Sequence, residues 1–115
     1  MVFYGAKSEQ PDAISALIFV LKSFEHRKAG FLENFAKRAP GRRRNHISRV
    51  RADVYPNKPD LEVYTTSELG EGWWLGTNIA NREKQRLIQI ACEVYGARYG
   101  KDVIVDLPNT EDQST

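Results

Sequence analysis

The sequence contains one cysteine, Cys92, among its 115 residues, so no disulfide can form within the chain. Its longest uninterrupted apolar run covers six residues, at positions 16–21, whereas a membrane-spanning helix needs about 20. The chain also opens without the basic and apolar segments of a secretory leader. These absences argue against disulfide-rich secreted scaffolds and membrane-spanning helices, and they predict a cytoplasmic protein.

Metal ligands and catalytic nucleophiles are also scarce. The soft ligands are His26, His46 and Cys92, and none stands at zinc-like spacing from another. Neither a Gly-x-Ser-x-Gly elbow nor a Cys-His signature occurs. We therefore predict a protein without metal, cofactor or catalytic residue, in which Cys92 is a buried thiol.

The apolar pattern predicts a single α+β domain over residues 1–108 and a disordered polar tail over residues 109–115. A first helix begins near Pro11, and a short second helix contains residues 31–35. Strands are predicted around residues 44–50, 61–66 and 73–77, with a hairpin turn at residues 70–72. A long third helix covers residues 81–95, and residues 103–105 add an edge strand. The expected architecture is two N-terminal helices, a small three-stranded antiparallel sheet and a long C-terminal helix.

The first helix carries more apolar surface than one buried face requires. Phe19 and Val20 lie off its main apolar stripe, and an N-terminal arm adds Val2, Phe3 and Tyr4. This surplus belongs either in the core or in a contact with a second copy of the chain. We predict a homodimer from it.

Positive charge is concentrated in one short segment, residues 36–52, which we call the basic strip. It holds seven of the 17 lysines and arginines and no acidic residue, although the net charge is only +2. A basic segment on an otherwise acidic body is typical of a surface that meets a polyanion. Six of the seven are arginines, whose guanidinium fork matches phosphates and guanine edges.

A second candidate contact is the junction between the third strand and the third helix, residues 76–82 with the sequence GTNIANR. Asn78 or Asn81 is expected to cap the helix. The same residues would also suit a DNA-binding tip, because a helix N-terminus attracts phosphate and asparagine can bond N6 and N7 of adenine. The candidate DNA contacts are Arg42, Arg43, Arg44, Thr77, Asn78, Asn81, Arg82 and Lys84.

Two other functions are compatible with the sequence. Asp60, Glu62 and Glu68 are possible ligands of a small metal-dependent nuclease, although surface carboxylates beside a hairpin explain them equally well. A protein-interaction module is the other alternative, with an aromatic surface formed by Trp73, Trp74 and Phe19.

The order of these motifs resembles a known family. Two helices lead into Gly41-Arg42-Arg43-Arg44 and a strand, and a hairpin then ends in WWLGTN, residues 73–78, before another helix. Over residues 14–95 this order and spacing resemble the DNA-binding domain of the SeqA family, bacterial negative modulators of replication initiation. The resemblance implies binding of duplex DNA that carries hemimethylated GATC sites.

The resemblance also implies roles for individual residues. Arg42 and Arg44 match the family's two DNA-contacting arginines, and Thr77 and Asn78 match the first half of the loop that reads the methylated adenine–thymine pair. The position of the family's second asparagine is Ala80, or Asn81 if the loop has one extra residue, and both registers stay open. We therefore predict a non-enzymatic double-stranded DNA-binding protein that reads a sequence or a modified adenine.

Overall fold

A computed structural model of the chain describes residues 1–38, 46–54, 66–70, 72–77 and 79–105. Within these ranges helices and short antiparallel strands are combined, which confirms the predicted α+β class. No helix in the described ranges has the length and apolar character needed to cross a membrane. The helices are α1 (Ala13–Arg27), α2 (Phe31–Arg38), α3 (Arg51–Val54) and α4 (Asn81–Tyr95). The strands are β1 (Val2–Phe3), β2 (Ala6–Lys7), β3 (Ile47–Ser48), β4 (Thr66–Gly70), β5 (Trp73–Gly76) and β6 (Val103–Ile104).

Helix α1 begins two residues after the predicted Pro11, because Asp12 forms its N-cap. The Asp12 Oδ1 atom accepts a hydrogen bond of 2.9 Å from the backbone N–H of Ser15, which satisfies one of the unpaired donors of the first turn. Hydrogen bonding from the side chain of Ser15, together with that from its backbone N–H, lowers the pKa of the Asp12 carboxyl group.

The core lies where α1 and α2 pack on α4. The rings of Phe24 and Tyr95 stack with centroids 4.2 Å apart, and Phe31 meets Phe24 edge to face. Leu21 and Leu87 are fully buried in the same cluster. The amphipathic periodicity of α4 explains why it can serve both helices, since its apolar stripe faces them and its polar stripe faces solvent.

The predicted three-stranded antiparallel sheet is present, with strand order β3-β5-β4. Its central strand pairs Leu75 with Ile47 on one side and with Ser67 on the other. The second predicted strand continues further than expected. It was predicted at residues 61–66, of which 61–65 lie outside the described residues, and β4 covers Thr66–Gly70. β-branched and aromatic residues guided that prediction, whereas pairing with β5 includes the segment up to Gly70.

The first predicted strand is shorter than expected. Pairing with β5 covers only Ile47–Ser48, and the chain then enters the helical turn α3 at Arg51. Residues 44 and 45 lie outside the described residues. The helical turn has no apolar repeat of its own, so the sequence pattern carried no signal for it.

The N-terminal arm docks on the body of the same chain in a second sheet of order β2-β1-β6. Phe3 pairs with Val103 and is 9% exposed within the core. A two-residue turn at Tyr4 and Gly5, with φ of 49° and 85°, reverses the chain as a primed hairpin turn does. The predicted edge strand at residues 103–105 exists as β6, and its partner is this arm.

Part of the apolar surplus of α1 is therefore accommodated within one chain. Val20 is fully buried, and the Phe19 ring meets the Phe3 ring edge to face at 5.6 Å. Tyr4 and Ile104 remain exposed on the second sheet, at 38% and 43%. The predicted tail at residues 109–115 lies outside the described residues.

Candidate nucleic-acid interface

His46, the residue before β3, is bonded to both sides of the β5–α4 junction. Its backbone carbonyl accepts a 2.9 Å hydrogen bond from the Gly76 N–H at the end of β5. Its Nε2 atom lies 2.9 Å from Oε2 of Glu83, in the first turn of α4. The arginine run of the basic strip ends at Arg44, two residues before His46 in the sequence. The two segments predicted to contact DNA are thus linked through one buried histidine.

Glu83 also holds Arg86 in a two-pronged ion pair. Arg86 donates from Nε to Oε1 at 2.8 Å and from Nη2 to Oε2 at 2.7 Å. These bonds hold the pKa of Glu83 below its ordinary value, against the opposing effect of burial, and His46 adds to the lowering. The carboxylate is therefore ionised at neutral pH, so the His46 Nε2–H donates to it.

Asn81 does not cap α4, so that prediction was wrong. Ala80 occupies the N-cap position with an extended backbone and without a side-chain hydrogen bond to the helix. Asn81 is the first helical residue, and its Oδ1 accepts a 3.2 Å hydrogen bond from Lys84 Nζ. Asn78, the other predicted cap, lies outside the described residues.

The remaining predicted contacts differ in their accessibility. Thr77 is half-buried directly after β5, whereas Arg82 is exposed and makes no hydrogen bond or ion pair in the described part of the chain. Lys84 is half-buried, is bonded to Asn81, and its charge helps to lower the pKa of Asp12. Arg82 is therefore the better placed of the two cations to meet an anion. Arg42, Arg43 and Arg44 lie outside the described residues.

The described cations of the basic strip lie in two separate places. Arg38 at its start forms a 2.8 Å ion pair with Glu93, near the C-terminal end of α4. Lys37 lies 3.9 Å from Glu33 on α2. Glu93 is eleven residues beyond Arg82, or about 16 Å along the helix axis. Glu93 thus neutralises the charge of Arg38 near the C-terminal end of α4, whereas the junction lies at the N-terminal end of this helix.

The end of the basic strip lies against the sheet. The Cζ atoms of Arg49 and Arg51 are 4.6 and 4.7 Å from the ring centres of Trp73 and Trp74. Arg51 Nε also donates to Thr66 Oγ1 at 2.9 Å. These contacts hold two cations beside β5 through cation–π attraction. Charge counting included both arginines in the strip but did not identify their tryptophan partners.

The proposed aromatic surface is not a single exposed patch. Trp73 is only 6% exposed and belongs to the core, and Trp74 is half-buried. Phe19 lies on α1, where it packs against Phe3 of the N-terminal arm. The sequence could not show this, because large aromatic residues are as common in cores as at interfaces.

The residues considered for nuclease activity are only partly described. Glu68 is exposed on β4, in register with Trp74, while Asp60 and Glu62 lie outside the described residues. Within the part of the chain that is described, no three His, Cys, Asp or Glu side chains are grouped closely enough to hold a metal ion. Cys92 is buried as predicted, and desolvation raises its pKa to about 11.

Sequence reasoning missed the group formed by His46, Glu83 and Arg86. The Glu83–Arg86 spacing of three residues is a recognisable signal for a helical ion pair. The contact with His46 has no such signal, because 37 residues separate it from Glu83.

Comparison of the chain with protein-family models, with curated proteins and with solved structures gave no match.

Proposed function

We propose that this chain is a non-enzymatic, cytoplasmic protein that binds double-stranded DNA. The observation that carries the proposal is the pair of hydrogen bonds made by His46 to Gly76 and Glu83, both at 2.9 Å. Arg44 stands two residues before His46 in the sequence. We therefore propose that the arginine run and the start of α4 contact the same DNA.

The charges around this region support contact with a phosphate backbone. Arg82 is exposed without a carboxylate partner in the described residues, and Arg49 is exposed on its tryptophan. Release of condensed counterions by such cations supplies most of the sequence-independent affinity for DNA. Arg42, Arg43 and Arg44 would add phosphate or base-edge contacts next to them.

We further propose that the junction reads a modified adenine, as the resemblance to the SeqA family implies. Thr77 and Asn78 would enter the major groove beside the first turn of α4. An asparagine amide can bond N6 and N7 of adenine together, which is the contact that distinguishes this base. The Asn81 side chain is bonded to Lys84, so reading by Asn81 requires that hydrogen bond to be exchanged.

Gel-shift titrations with unmethylated, hemimethylated and fully methylated GATC duplexes test both parts of the proposal. We expect binding to all three at low salt, with the tightest binding to the hemimethylated duplex. Equal affinity for all three duplexes would support DNA binding but contradict the proposal that the protein recognises methylation. If the protein binds none of the duplexes, the proposed DNA-binding function is wrong. Mg²⁺-dependent cleavage of plasmid DNA would instead favour the alternative of a nuclease.

The homodimer remains a prediction. Phe19 and Val20 are accommodated within one chain, so support for a second copy comes from exposed apolar side chains such as Tyr4 and Ile104 on the second sheet. Sedimentation equilibrium at high micromolar concentration tests it, since a species of 13.1 kDa would reject the dimer.

A further inference from the structure

The solvent-facing side of α4 carries two arginines and two glutamines. Arg82, Gln85, Arg86 and Gln89 recur at the i, i+3, i+4 and i+7 positions, which share one face of a helix. The first three are exposed and Gln89 is half-buried. Arginine and glutamine are side chains that make two-pronged contacts with guanine and adenine, and a helix fits the major groove of B-DNA.

Arg86 retains donors on the edge of its guanidinium that faces away from Glu83. The group has five N–H bonds, and the bonds to Glu83 use one on Nε and one on Nη2. The remaining Nη2–H and both Nη1–H bonds make no hydrogen bond in the described residues, and the side chain is 48% exposed. Two parallel donors on one edge match the O6 and N7 acceptors of guanine.

The orientation of Arg86 is prepared before any ligand arrives. Glu83 holds the guanidinium at two points, and His46 holds the same carboxylate from the opposite element at 2.9 Å. The His46 side chain is only 10% exposed, so the support is anchored in the body of the protein. A side chain that is already ordered loses less conformational freedom on binding.

We infer that Arg86 reads a guanine in the major groove of the bound duplex, and that Glu83 and His46 are its positioning residues. This inference rests on the proposed DNA-binding function and names the base-reading element within it. It adds the exposed face of α4 to the junction loop as a second element that recognises bases.

A guanine contact fits Arg86 better than a phosphate contact does. The charge of Arg86 is balanced by Glu83, so the pair gives little net attraction for a polyanion. By contrast, the N–H groups of Arg86 that do not bond Glu83 can still donate hydrogen bonds to a base edge. Arg82 has no carboxylate partner in the described residues and is better suited to a phosphate. The two arginines should therefore respond differently to substitution.

Selection from a random duplex library tests the inference, using the full chain, the Arg86→Lys variant and Arg38→Lys as matched control. Lysine keeps the positive charge and loses the fork. We expect the full chain and the control to enrich sites with guanine at one fixed position. The Arg86→Lys variant should lose the preference for that guanine but keep its base preferences at the other positions of the site.

A modified base then identifies the contact. Replacing the selected guanine by 7-deazaguanine removes N7 and keeps Watson–Crick pairing. The affinity of the unsubstituted protein should fall about 5- to 100-fold, as expected for a two-pronged base contact, while Arg86→Lys should hardly respond. Unchanged selection by Arg86→Lys, or an equal loss on every sequence, would overturn the guanine contact.

Glu83→Gln tests positioning separately. Removing the carboxylate charge should raise affinity for scrambled duplex and lower discrimination for the selected guanine, two changes of opposite sign. A merely structural role would reduce both together through unfolding, which thermal denaturation detects. If the full chain binds no duplex, the proposed function and this inference both fail; if it binds and Arg86→Lys selects the same sites, only this inference fails.

Discussion

Glu83 in the first turn of α4 accepts a hydrogen bond of 2.9 Å from His46, a residue 37 positions earlier in the chain. The same carboxylate receives two hydrogen bonds from Arg86. Glu83 therefore joins the approach to β3, the start of α4 and the exposed face of α4 in one polar group. Its removal should affect both folding and recognition, by separate routes.

Glu83→Ala should lower the free energy of unfolding by about 1–2 kcal/mol, because His46 is left with a buried donor that has lost its acceptor. Urea denaturation measures the change. Glu33→Ala is the matched control, since Glu33 is exposed and lies 3.9 Å from Lys37 on α2, and its effect should stay below about 0.5 kcal/mol. Equal losses in the two variants would contradict an anchoring role for Glu83.

The stabilising effect of Glu83 should depend on pH in a defined direction. Its pKa in the folded protein lies below the ordinary value of 4.5. A carboxyl group whose pKa is lowered by folding stabilises the protein above the unfolded pKa, and that contribution is lost as the pH falls towards the folded pKa. The stability difference between the unsubstituted protein and Glu83→Gln should therefore shrink as the pH falls below 4.5. A difference that does not change on acidification would contradict this assignment.

DNA binding should weaken steeply with salt. If four or five charges of the basic strip meet phosphates, log K should fall against log salt with a slope of about −4. Replacing Arg42 and Arg44 together by Ala should flatten the slope by about 1 to 2 units. Arg38→Ala is the control, because Arg38 is paired with Glu93 and should change the slope little. A double variant with unchanged affinity and slope would remove the arginine run from the interface.

Asn78→Ser should reduce the preference for target over scrambled duplex about ten-fold or more, while non-specific binding changes little. Serine keeps a small polar side chain at this position but cannot make the two-pronged adenine contact, which contributes about 1–3 kcal/mol of discrimination. Asn81→Ser is the companion variant, since Asn81 does not cap α4. Full discrimination in Asn78→Ser with loss in Asn81→Ser would assign the reading to Asn81 instead.

The thiol of Cys92 should react slowly with disulfide reagents in the folded protein. Burial raises its pKa to about 11, and the thiolate is the reactive form. At pH 8 we expect labelling to be at least 100-fold slower than in denaturant, where the thiol has its ordinary pKa. Comparable rates in the two conditions would show that the α1–α4 interface opens readily.

Elements with a strong local pattern could be predicted from the sequence. The third helix was predicted at residues 81–95 and is found at Asn81–Tyr95, because a continuous amphipathic repeat needs no distant partner to be recognised. The strands were predicted less well. The strand at Thr66–Gly70 and the pairing of Val103 with Phe3 depend on which distant segment supplies the hydrogen bonds, and residue propensities do not contain that information.

The same distinction applies to the candidate site. The sequence alone determined which chemistry is available: the arginine run at Arg42, Arg43 and Arg44, the polar junction after β5, and the alternating arginines and glutamines of α4. Only the tertiary structure decided which charges are neutralised and which are presented, since Arg38 meets Glu93 while Arg82 stays exposed. It also brought His46 to Glu83, because burying the apolar faces of the sheet and α4 carries polar side chains together across 37 residues of sequence.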